Sequence, residues 1–180
     1  MKLLDKVLEA NRKFVASYQP QSLTARPKEK LAIVTCMDTR LVDFLEPAMG
    51  LGRGDAKLIK NAGNTITEGS DEVLRSVLVA IYELGAEEVM VIGHTRCGMA
   101  HAKVEELVEH MVHRGIKKEL LEGIDLKKWL GLFSSEEENV IRVVGELKKS
   151  PLIPAGLPIH GLIIDIDTGE MRVLVDGYQS

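Results

Sequence analysis

Three short runs, at 31–35, 56–61 and 88–92, constrain the fold more than any other feature of the chain. Each has the length of a strand, and helix-patterned stretches separate them, at 40–49 between the first two and at 70–84 before the third. Strands that alternate with helices need crossover connections, which implies a parallel sheet with helices on both faces. Two later runs, 159–165 and 171–176, flank a Thr168-Gly169 turn and form a final strand pair. Other helical patterns lie at 99–114 and 117–122. Ser135 and Glu138 fit a capping box that opens a helix over 136–149. The helix at 70–84 has Ser70 as its N-cap, acids in its first turn and Gly85 past its end. Pro151, Pro154 and Pro158 mark a loop, and 115–135, with Gly115, Gly123 and Gly131, is irregular.

The N-terminal stretch adds one more element. Leu3, Leu4, Val7, Leu8, Phe14, Val15 and Tyr18 recur at helical spacing, so 2–19 is an amphipathic helix. A polar segment with Pro20 and Pro27 connects it to the first strand. The organisation is a single domain over 1–180, with helix and connection at 1–30 and an α/β core at 31–180. Lys and Arg number 23 against 27 Asp and Glu, a net charge of −4 that gives no pull towards nucleic acid or anionic membrane. Met1 opens an amphipathic pattern rather than a signal sequence, and no apolar run nears the roughly 18 residues of a membrane span. These features place the protein in the cytoplasm. Two cysteines exclude a disulfide scaffold but not a single bridge.

The chemistry gathers at strand ends. Cys36 follows the first strand; His94 follows the third, with Cys97 three residues on. Ligands of an open parallel sheet bind beyond the carboxyl ends of its strands, so two strands deliver these residues to one edge. Two thiolates and one imidazole suit zinc, and three protein ligands leave a fourth tetrahedral position open, the mark of a catalytic site. Two other readings stay open on pattern alone: a redox pair or disulfide, and two buried thiols beside a packed histidine. Asp38 and Arg40 stand just past Cys36. Asp38 can ligate a metal or accept a hydrogen bond from metal-bound water while Arg40 holds it bidentately. The plainer alternative is that Asp38 or Thr39 caps a helix that starts near Arg40.

The motifs Cys36-Met37-Asp38-Thr39-Arg40, Lys60-Asn61-Ala62-Gly63-Asn64 and Gly93-His94-Thr95-Arg96-Cys97-Gly98-Met99 together resemble the β-class carbonic anhydrases. The short chain is similar to their compact archaeal-type branch, found in methanogens and many bacteria. The resemblance runs from the N-terminal helix to the His160-Gly161-Leu162-Ile163 strand. It implies about four parallel strands with a C-terminal antiparallel strand, flanked by helices. It also implies an N-terminal helix that packs on a partner subunit, in a homodimer or a dimer of dimers. By matching position, Cys36, His94 and Cys97 hold one zinc ion per subunit, Asp38 and Arg40 form a catalytic dyad, and Asp38 in some members is a fourth zinc ligand. The implied activity is reversible hydration of carbon dioxide to bicarbonate and a proton through a zinc-bound hydroxide. Carbon disulfide or carbonyl sulfide hydrolysis on the same scaffold, and a non-catalytic bicarbonate-sensing zinc protein, are the alternatives. Thr39 stands where serine is common, and Arg96 where many close relatives carry aspartate. With aromatics at 4%, the substrate pocket is expected to be aliphatic.

Other residues carry less. Gly63 follows the second strand at the active edge, where it lets backbone approach the site, and Asn64 forms part of the wall. The Gly50-Leu51-Gly52-Arg53-Gly54 stretch follows a helix and precedes a strand, the wrong order for a dinucleotide fingerprint. His101, His110 and His113 read as solvated, His160 as structural, and the acidic 135–139 run as a solvated helix start.

Overall fold

The computed structural model describes residues 1–67, 69 and 71–179. In chain order its elements are α1 (Leu3–Ser17), β1 (Leu31–Cys36), α2 (Leu45–Ala48), β2 (Ala56–Asn61), α3 (Glu72–Tyr82), β3 (Glu88–His94), α4 (Gly98–His101), α5 (Val104–His113), α6 (Leu126–Leu130), α7 (Glu136–Lys149), β4 (Ile159–Ile164) and β5 (Met171–Val175). One five-stranded sheet runs in the order β2-β1-β3-β4-β5. The pairs β1–β2, β1–β3 and β3–β4 are parallel, and β4–β5 is antiparallel. Four parallel strands with an antiparallel strand at the edge is the architecture expected from the sequence. No helix among the described residues is long and apolar enough to cross a membrane.

The interior strand β1 is buried along its whole length, which explains why Leu31–Val34 is an apolar run and not an alternating one. Ala32 and Val34 face a core layer built with Val73, Val77 and Ala80 of α3 and Val140, Val143, Val144 and Leu147 of α7. Leu31 and Ile33 face a second layer with Leu41, Leu45, Ile92 and Ile164. By contrast, α1 buries none of its residues, and Leu3, Leu4, Val7, Phe14 and Val15 are exposed.

Several elements differ in detail from the sequence reading. Cys36 and His94 are the last residues of β1 and β3 rather than the first residues beyond them. The expected helix at 40–49 is instead a 3-10 turn, Thr39–Leu41, then the short α2. Pro47 explains the break. In a continuous helix its ring would meet the carbonyl of Asp43, and Asp43 instead turns left-handed at φ 53°. The expected helix at 99–114 is divided between α4 and α5 by extended Ala102 and Lys103, where no glycine or proline marks the break. Within the span read as irregular, α6 is capped by the Asp125 side chain, which accepts from the Lys128 amide at 3.1 Å, and ends on left-handed Gly131. The proposed N-cap Ser70 lies outside the described residues.

Helix α7 lies unusually close to the sheet. A Cβ at Gly93 would sit 2.7 Å from Val140 Cγ2, and one at Gly161 would sit 2.9 Å from Val140 Cγ1. Glycine on two adjacent strands thus makes the groove into which Val140 fits. Gly93→Ala should therefore destabilise the fold by about 1–3 kcal/mol in urea denaturation through overpacking. Val140→Ala should relieve part of that loss in the double mutant. Effects of the two changes that add to within about 0.5 kcal/mol would contradict the close contact.

Candidate metal centre and the family it defines

The register of the sheet brings the first two candidate ligands together. β1 pairs with β3 through Thr35 opposite Ile92, so Cys36 and His94 end neighbouring strands at the same edge. Past His94 the chain turns through Arg96, which has a left-handed φ of 55°, and Cys97 then opens α4. The ligand atoms of Cys36, His94 and Cys97 all lie within 4.8 Å of one another. Among the described residues this is the one group of three or more such side chains close enough to share a metal ion. All three residues are buried, and the two sulfurs are 3.9 Å apart.

The chemistry of the set fits a metal. His94 Nδ1 donates to the Thr95 carbonyl at 3.0 Å, which leaves Nε2 as the atom with a free lone pair. Nε2 is buried and has no hydrogen-bond partner, a costly state for a polar atom unless something else satisfies it. Metal-bound histidines commonly donate their second ring nitrogen to a carbonyl in this way. The two sulfurs are close enough to hydrogen-bond to each other. A hydrogen bond from Cys97 brings Cys36 down to about 4 against the effect of burial, with His94 and the Gly63 amide adding to it. The hydrogen bond with Cys36 raises Cys97, and burial adds to the rise. Burial disfavours a charged His94, but the nearby Cys36 sulfur and the Thr95 carbonyl outweigh it and raise its pKa. A metal would displace these protons.

Asp38 stands beside the trio, its Oδ2 3.8 Å from His94 Nε2. Both of its oxygens are engaged by Arg40. Nε donates to Oδ1 at 2.9 Å, Nη2 to Oδ2 at 2.7 Å, and the Arg40 amide to Oδ1 at 2.9 Å. One carboxylate thus both starts the 3-10 turn and takes a bidentate arginine. Those bonds, chiefly the one from the Arg40 side chain, hold Asp38 well below the usual carboxylate range. Arg40 Nη2 also donates to the Arg96 carbonyl at 3.0 Å. The Arg96 side chain turns away to pair with Asp167.

Gly63, at φ 71°, donates its amide to Cys36 Sγ at 3.4 Å. Phe133 and Met99 pack where a Cβ would be, so an aromatic ring borders a region expected to be aliphatic. Asn64 is buried, and its Nδ2 has no partner. His101, His110 and His113 lie on α4 and α5, whereas His160 is buried at the far end of β4 and accepts from the Gly177 amide at 3.1 Å. The acidic 135–139 run, expected to be a solvated helix start, turns two of its residues inward, and Asn139 is buried. Glu136 accepts from the Cys97 amide at 3.1 Å, and Asn139 Nδ2 donates to the Gly63 carbonyl at 2.9 Å.

The carbonic anhydrase family model matches residues 31–171. The chain is similar to Bacillus subtilis YvdA, whose own carbonic anhydrase assignment is provisional, with 45% identity over 98% of this chain and 93% of that protein. It superposes on the crystal structure of β-carbonic anhydrase isoform I from Trichomonas vaginalis with a TM-score of 0.93, 43% identity, and coverage of 99% of this chain and 100% of that one. It is also 33% identical to a carbon disulfide hydrolase of Acidithiobacillus thiooxidans over 79% of this chain and 76% of that one. The chain belongs to the β-carbonic anhydrase family.

Proposed function

We propose that this chain is a carbonate dehydratase that uses one zinc ion per subunit, held by Cys36, His94 and Cys97, to hydrate carbon dioxide reversibly to bicarbonate and a proton. The observation that carries this reading is the buried Cys-His-Cys trio with an unpartnered imidazole nitrogen, beside a carboxylate fixed by an arginine. When bound, zinc supplies the Lewis acidity that makes a water molecule nucleophilic near neutral pH.

The chain's own residues orient the reactants. Arg40 keeps Asp38 ionised and occupies both of its oxygens, which favours Asp38 as a fixed hydrogen-bond acceptor over a fourth ligand. A carboxylate held so far below its usual range does not store a proton at neutral pH, so the released proton passes to solvent or buffer. Gly63 and Asn64 form the wall beside Cys36, with Phe133 and Met99 behind Gly63. The exposed apolar face of α1 supports a homodimer in which that helix covers the partner subunit. A one-chain mass in equilibrium sedimentation would contradict it. Carbon disulfide is the second substrate to assay, because a carbon disulfide hydrolase is among the relatives.

Stopped-flow hydration of carbon dioxide tests the reading. The zinc-loaded protein should turn over carbon dioxide, and Asp38→Asn and Arg40→Ala should each lose about 10²-fold in kcat/KM with zinc content retained. Asp38 is ionised at every pH above its lowered pKa, so the loss in Asp38→Asn should be a near-constant factor between about pH 6 and 9. Near-normal rates in both variants, or turnover of carbon disulfide alone, would sink the proposal.

A further inference from the structure

The start of α7 contacts Cys97 directly and is linked to Cys36 through Gly63. Glu136 and Asn139 lie three residues apart on one face of the helix. Glu136 Oε1 accepts the Cys97 amide at 3.1 Å. Asn139 Nδ2 donates to the Gly63 carbonyl at 2.9 Å, and the Gly63 amide in turn donates to Cys36 Sγ at 3.4 Å. Asn139 is buried and its orientation is set, because Oδ1 accepts from Thr65 Oγ1 at 3.2 Å and Arg142 Nη2 at 2.7 Å. We propose that Glu136 and Asn139 are positioning residues that hold the two thiols at metal-binding separation and so slow the loss of the metal. This inference rests on the metal-centre reading above.

The neighbouring acids show that Glu136 has a distinct role. Three glutamates fill the first turn of α7, which is what a helix N-terminus favours in general. Glu137 turns outward to Arg172, and the Glu138 amide bonds Ser135 Oγ at 3.2 Å. Only Glu136 of the three reaches the peptide of a proposed ligand. That peptide follows Arg96, a non-glycine residue with left-handed φ, a conformation that persists only where its surroundings hold it. The Arg96 carbonyl is held by Arg40 and the Cys97 amide by Glu136, so the one peptide that joins Arg96 to Cys97 is held on both its polar sides. The close seat of α7 against Gly93 sets the reach of both side chains.

Two readouts independent of turnover test the proposal: release of zinc from the loaded protein to a chromophoric chelator, and the thiolate-to-metal absorption of the cobalt-substituted protein. Glu136→Ala and Asn139→Ala should release zinc about 10–100-fold faster than wild type and shift the cobalt band. Glu136→Gln keeps an oxygen that can accept the Cys97 amide and should stay within about threefold of wild type. Glu137→Ala removes the same charge without that contact and should change nothing. Should Asn139→Ala fail to fold, the half-exposed Glu136 variants decide the question. Release from Glu136→Ala within about twofold of wild type would overturn the proposal, as would equal acceleration in Glu137→Ala. A wild-type chain that takes up no zinc would instead remove the metal reading, and this inference with it.

Discussion

The pairing of β1 with β3 is the constraint on which the rest of the molecule depends. Parallel pairing with Thr35 opposite Ile92 puts Cys36 and His94 at the carboxyl edge on adjacent strands. Because side chains alternate from face to face, a slip of one residue would turn the buried set of β1 over and carry Cys36 away from His94. Burial on both faces makes such a slip costly, since Ile33 and Val34 are each completely enclosed. The same packing energy that fixes the sheet therefore fixes the distance between the proposed ligands.

Around this edge the polar groups form connected supports. Arg40 joins Asp38 to the Arg96 carbonyl, and Glu136 takes the amide that follows it. Asn139 joins Gly63 to Thr65 and Arg142. Of the buried polar atoms without a partner at this edge, Asn61 Oδ1, Asn64 Nδ2 and His94 Nε2, the imidazole nitrogen is the one that belongs to the Cys-His-Cys group, whose ligand atoms lie within 4.8 Å of one another. An atom left without a hydrogen bond in the middle of a supported site is what a metal-binding imidazole looks like when only protein atoms surround it.

How much of this could be read from the chain follows from sequence separation. β1, β2 and β3 were legible because each is a short run between helical patterns, and the site edge followed from their parallel order. Asp38 and Arg40 were legible because they adjoin Cys36. Glu136 was not: its partner, Cys97, is 39 residues away, and an acid in the first turn of a helix already has a local explanation. Asn139, 76 residues from Gly63, was hidden for the same reason. A signal did exist in Gly93 and Gly161, since glycine within a strand marks close approach of another element. Pro47 likewise argued against a continuous helix at 40–49, and Asp125 with Gly131 bracketed α6 in the span taken as irregular.

The central claim is that two cysteines and one histidine from adjoining strand ends bind zinc. X-ray absorption at the zinc edge of the purified protein tests it most directly. The account predicts one zinc per chain with two sulfurs at about 2.3 Å and two nitrogen or oxygen neighbours at about 2.0–2.1 Å. A shell of nitrogen and oxygen alone, or one that keeps both sulfurs after Cys36→Ser, would contradict it.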